Sequence, residues 1–281
     1  MQSYEMAAQE FARAHRWVDE LLEDSPGAVR YLHKKAQIYG NQTALYSATG
    51  DRQNASRSAG ESLRVFEQLA QVDPDNDIHK VNLASALGNV GNAALEQREF
   101  AVAAKNAERA ITIAREFLRK GNRHPAVIQA LSNGYVTAAI AQLQIKEFSR
   151  ALEYVNDAID LGYPMNHNRF LALKCQLLLE LGRPAEALQQ IDESVTPSDD
   201  PDGSRIWAFA MSRGLEIVER PTEGEPAEAD KLRARLVERG AESLRIALRL
   251  GSITRQSLAH TPELFKLTST TEFADQAEPR P

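Results

Sequence analysis

The chain has 281 residues, of which 43% are hydrophobic, 26% charged and only 6% aromatic, with a net charge of −6. One Cys excludes a disulfide framework and a Cys-based zinc cluster, and an ordinary apolar content excludes wholesale disorder. An acidic chain is unsuited to nonspecific nucleic-acid binding, no run of about 18 apolar residues could span a membrane, and MQSYEMAAQE lacks the build of a secretory signal, so a cytoplasmic protein without nucleic-acid or membrane partners is expected.

The first segment, EFARAHRWVDELLEDSP, is helical in pattern, with Ala14, Val18, Leu21 and Pro26 where the second helices of later segments carry theirs. Residues 1–26 are therefore either a capping helix or the orphan half of a repeat whose other half precedes it. Four similar segments follow: Tyr39 to Leu63, Leu87 to Ile111, Tyr135 to Ile159 and Leu171 to Val195. Each has an apolar helical stretch, a polar break and a second stretch with a small residue at a fixed place. Ala55, Ala103, Ala151 and Ala187 mark that place, at separations of 48, 48 and 36 residues. Pro74, Pro125 and Pro164 close units, because a helix cannot readily run through Pro. Small residues recur three, four or seven apart on the second helices, as in Ala103, Ala107 and Ala110. They form a stripe that lets helix backbones approach closely. A single hairpin cannot bury its apolar face, but stacked neighbours can. The expected fold is all-α, with four units at about 27–76, 77–125, 126–164 and 165–198.

Beyond them, Thr196 to Gly203 reads as a loop, with Ile206, Phe209, Ala210 and Ile217 marking the apolar spacing of the next helix. Pro221 to Pro226 breaks it. Ala229 to Gly251 is an amphipathic helix with Leu232, Leu236, Leu244 and Leu248 on one side and Gly240 at a close crossing. An irregular hairpin over 199–253 and a short helix and tail over 254–281 complete the organisation.

These residues resemble the tetratricopeptide repeat. The fourth unit carries the pattern in Leu171, Cys175, Gly182, Ala187 and Ile191; the third in Tyr135, Ala139, Phe148, Ala151, Ala158 and Pro164. The second carries it in Leu87, Gly91, Phe100, Ala103 and Ala110; the first, more loosely, in Tyr39, Thr43, Gly50, Ala55 and Ala59. The resemblance implies a right-handed superhelical solenoid of helical hairpins whose first helices line a groove for a peptide or partner helix. The ending also resembles that of tetratricopeptide regions in bacterial serine/threonine protein kinases, through Leu244, Ala247, Gly251, Leu258, Pro262, Glu263, Leu264, Leu267, Glu272 and Phe273. That likeness implies, as an alternative, a regulatory region of a kinase whose catalytic domain lies outside this chain.

Catalytic motifs are missing from the sequence. It has no Gly-rich phosphate loop, His-Arg-Asp loop or Asp-Phe-Gly, and no Walker-type or dinucleotide loop. His15, His33, His79, His124, His167 and His260 are scattered and read as surface or hairpin-joining residues, with no HExxH pair for a metal. Cys175 reads as a buried packing residue. Asp199, Asp200 and Asp202 lack the ligand series of a calcium loop and read as a solvated linker, and Asp19, Glu20, Glu23 and Asp24 as a solvated helix face. No cofactor, small-molecule substrate or catalytic residue is expected, and an unrecognised helical enzyme is the weakest alternative.

Two asparagines recur in register, Asn41 and Asn89, each directly after a glycine, Gly40 and Gly88. Asn92 lies one turn beyond Asn89, and Asn133 and Arg169 hold the corresponding places in later units. An amide both donates and accepts, so such a ladder could pair with the backbone of an extended peptide. The same residues could instead cap or bridge neighbouring helices. A Lys/Asn/Arg carboxylate clamp is incomplete, because Gly88 and Thr137 stand where cations are needed. The acidic chain suggests a positively charged partner.

Overall fold

The structure is a computed structural model and describes residues 2–194, 200–219, 226–258 and 260–270. No strand occurs among the described residues. Two compact units arise, residues 1–146 and 147–281, and the division falls inside the third expected unit.

The first unit contains α1 (Gln2–Asp24), α2 (Val29–Thr49), α3 (Arg52–Val72), α4 (Asp77–Glu96), α5 (Phe100–Arg119) and α6 (Pro125–Gln144). Residues 3–10 extend α1, which packs on α2, buries Val18 and leaves Trp17 68% exposed. Each later helix packs on its predecessor, and α2, α4 and α6 also touch in order, forming one layer with α3 and α5 behind.

Local chemistry sets the ends. Asp51 caps α3 by accepting from the Asn54 N–H at 3.1 Å, and Asn76 caps α4 by accepting from the Ile78 N–H at 3.1 Å. Pro125 opens α6 at a position where no N–H is needed. The hairpin breaks place Gly50, Arg98 and Lys146 at the same point, 48 residues apart, with φ of 76°, 63° and 66°. Only glycine takes this conformation without steric cost; Arg98 and Lys146 each bear about 1–2 kcal/mol.

The alanine stripe forms the seam between layers. Ala55, Ala59, Ala103, Ala107 and Ala110 are all fully buried. Beside Ala55 and Ala59, Ser62 Oγ reaches from α3 to donate to the Ala36 carbonyl of α2 at 2.9 Å. A Cβ at Gly91 would come within 3.0 Å of Thr137 Cγ2 and 3.4 Å of the Ala103 carbonyl, so α4 touches both α5 and α6 there.

The second unit contains α7 (Phe148–Leu161), α8 (His167–Glu180), α9 (Pro184–Glu193), α10 (Pro201–Val218), α11 (Pro226–Arg249), α12 (Arg255–Leu258) and α13 (Phe265–Thr268). Asp200 is the N-cap of α10, accepting from the Gly203 N–H at 2.8 Å and from Asn168 Nδ2 at 3.2 Å. The expected solvated linker is thus shorter, and the helix starts at Pro201; Asp199 lies outside the described residues. The buried residues of α10 include Trp207, Ala208, Met211 and Leu215; of the expected residues Ala210 is buried, whereas Ile206, Phe209 and Ile217 are half-buried. Alpha-helical spacing alone allowed both stripes, and packing on α8 and α11 selects the first. Gly240 does sit at a close crossing, where a Cβ would lie 2.7 Å from Leu267 Cδ1 and 3.0 Å from Met211 Cβ. Leu244, Ala247, Leu264 and Leu267, toward the end of the chain, are fully buried, so they close this core. Glu272 and Phe273, the segment 221–225 and the tail lie outside the described residues.

Candidate functional site

Two adjoining hollows open on the layer formed by α2, α4 and α6. The larger, about 400 Å³, is lined by Gln37, Gly40 and Asn41 of α2, Ser62 and Phe66 of α3, and Asn82, Ser85 and Asn89 of α4, with Ala36 and Ala86 at its floor. The smaller, about 200 Å³, is lined by Ser85, Gly88, Asn89 and Asn92 of α4 and Gln129 and Asn133 of α6, with Ala84 and Ala130 below. Ser85 and Asn89 of α4 line both, so the hollows adjoin on either side of α4 and together make up one groove-like surface. Helix axes about 8–10 Å apart make it about 20 Å across, the reach of about six extended residues.

Four of the five sequence-selected residues therefore come together: Asn41, Asn89, Asn92 and Asn133. Arg169 stands half-buried on α8 of the second unit and lines neither hollow. Gln37, Asn82, Ser85 and Gln129 were missed. Their signal was polar residues at spacings of three, four and seven on the first helices: Gln37 with Asn41, Asn82 with Ser85 and Asn89, Gln129 with Asn133.

Thr137 Oγ1 donates to Asn92 Oδ1 at 2.7 Å, bridging α6 to α4. This occupies the Asn92 carbonyl and leaves its amide hydrogens as donors. For Asn92 the bridging role and a groove-facing amide thus coexist. Gly40 and Gly88 mark where the groove admits close approach. Gly88 is buried, yet a Cβ there would meet no atom within 4 Å; at Gly40 it would meet only Ser62 Oγ, at 3.7 Å. Gly60 is equally open, but it is an exposed surface position. Neighbouring helices thus do not require the glycines before Asn41 and Asn89, in contrast to Gly91.

No residue lining either hollow carries a formal charge. Hydrogen bonding by amides and hydroxyls over a narrow apolar floor is the chemistry available. Among the described residues no group of three or more His, Cys, Asp or Glu could hold a metal ion. One histidine departs from the surface reading: His79 is 3% exposed and faces His33, at 5.8 Å between ring centroids. Cys175 is fully buried beside Ala187, and burial pushes its thiol up to about 12. Alkylation of the native chain at pH 8 should therefore be negligible over hours and complete after denaturation, as read by intact mass. Rapid native labelling would show that α8 and α9 part readily.

No protein-family model matches the chain, and no curated protein matches it. Among solved structures it is similar to the apo form of RapI, at 11% identity over 98% of each chain with a TM-score of 0.55. It also resembles YrrB, described as a TPR protein with an unusual peptide-binding site, at 16% identity over 84% of this chain and 98% of that one, TM-score 0.47. BtubC from P. vanneervenii matches at 16% identity over 99% of this chain and 94% of that one, TM-score 0.46. The fold is an all-α helical repeat of the tetratricopeptide type. No helix among the described residues is long and apolar enough to cross a membrane.

Proposed function

We propose that the first unit is a non-catalytic binding module that holds an extended, uncharged segment of a partner protein across α2, α4 and α6. The observation that carries this reading is the open space at Gly40 and Gly88 beside Asn41 and Asn89. Glycine inside a helix costs about 0.5–1 kcal/mol relative to Ala, and at neither position does a neighbouring helix come close enough to require it. A peptide backbone would fill that room and find amides on either side. The lining offers no carboxylate, imidazole or amine for proton transfer, which argues against catalysis in this groove.

An uncharged lining also revises the expected partner chemistry. The net charge of −6 could steer a basic protein from a distance, but the bound segment itself would meet no charge. The test is a fluorescence-anisotropy titration of six- to eight-residue peptides selected by display against the full chain. Asn41→Ala with Asn89→Ala should weaken binding about thirtyfold, at roughly 1 kcal/mol for each of the two lost hydrogen bonds. Raising salt from about 50 to 500 mM should change affinity less than about twofold, because salt screens charges and the lining has none. Unchanged affinity in the double variant would remove the asparagines from the site. A steep salt dependence would point to a charged surface elsewhere.

A further inference from the structure

One end of the groove carries a feature that peptide binding does not use. His33 on α2 and His79 on α4 face each other across the seam between the two helices. Gln37 follows His33 by one turn and Asn82 follows His79 by one turn, so the pair adjoins the larger hollow. The His33 ring also meets Phe66 of α3 edge-on, with centroids 5.7 Å apart, and Phe66 is part of the groove wall. His79 Nδ1 is buried and has no hydrogen-bond partner among the described residues; the nearest acid oxygen, Asp73 Oδ2, is 4.0 Å away.

We propose that this imidazole pair is a proton-sensitive latch on the groove, holding α2 against α4 while His33 is neutral and loosening them when it is charged. The proposal rests on the groove being a binding site, but the latch can be read without a ligand. The charged groups facing the pair are Lys34 on α2 and Asp73 at the end of α3; α3 otherwise presents apolar Phe66. Asp73 lies beside His79, with its Oδ2 4.0 Å from the ring Nδ1. His33 has no such acid and has Lys34 beside it. A proton on His33 would therefore place a charge, with no acid beside it, on a partly desolvated ring packed against Phe66 and His79.

The sign follows from His33. Burial, then His79, then Lys34 hold its pKa below the ordinary value of 6.5. The opened or unfolded chain thus binds the proton more readily than the closed one. Stability from neutral His33 is complete above about pH 6.5 and falls as pH drops toward the lower folded value. By about pH 5.5 the opening equilibrium can rise by up to about tenfold.

Hydrogen exchange on the full chain at pH 7.5 and 5.5, corrected for intrinsic rates, tests this directly. Protection of α2 and α4 amides near residues 33–41 and 79–89 should fall several-fold, up to about tenfold, in the wild type. His33→Gln should abolish that loss. An NMR titration of the wild-type imidazole protons, which needs no variant, should place His33 below 6.5. An equal loss of protection in His33→Gln, no loss in the wild type, or His33 titrating at or above 6.5 would overturn the latch. Neither readout uses a peptide, so a groove that bound none would leave these outcomes unchanged.

Discussion

Gly88→Leu should stabilise the chain and cripple its binding at the same time. Leucine recovers about 0.8 kcal/mol of helix propensity over glycine, and a Cβ at Gly88 meets no atom within 4 Å. From there the side chain leans toward the preceding turn, over Ala84 and Ser85, into a hollow of about 200 Å³. Peptide affinity should fall tenfold or more, while the denaturation midpoint stays level or rises. Mutations that remove contacts usually lower both quantities together. A variant that parts them marks a place where stability was relinquished for a ligand. If Gly88→Leu binds as the wild type does, the ligand does not approach α4 at this point, and the open glycine has another cause.

Gly134→Val should do the reverse. Its Cβ would lie 2.9 Å from Ile111 Cγ1 and 3.5 Å from the Ala107 carbonyl, in the seam between α5 and α6. Ile111 is 4% exposed and cannot swing away freely. Overpacking of this kind costs about 2–3 kcal/mol, more than the helix propensity recovered. Chemical denaturation followed by circular dichroism should show the loss, and the groove should weaken only as far as the fold does. A stability equal to wild type would mean that α5 and α6 pack less closely than these distances describe.

Gly88 and Gly134 are each a glycine beside an asparagine on a first helix. In the sequence one precedes its asparagine and the other follows it, which says nothing of what lies opposite either. Their opposite expected behaviours come only from what lies opposite each: empty groove in one case, Ile111 in the other. The same limit explains α10. Ile206, Phe209 and Ile217 are apolar at helical spacing, as are Trp207, Met211 and Leu215, and only the docking of α8 and α11 decides which stripe is buried. It also explains His79, since no spacing along the chain brings residue 79 to face residue 33.

Local and periodic features were legible in the chain alone: helices from 3.6-residue patterning, breaks between them from prolines, the repeat from alanines 48 and 36 residues apart, and two asparagines in register on first helices. These are legible because the covalent chain fixes which residues share a helix face. Which of those faces meet came from packing in three dimensions: the two hollows adjoining at α4, their uncharged lining, the spare room at Gly88 and the contact between His33 and His79. The physical reason is that such pairings depend on the angle and depth at which helices pack, and these follow from the sum of many small contacts between residues far apart in the chain.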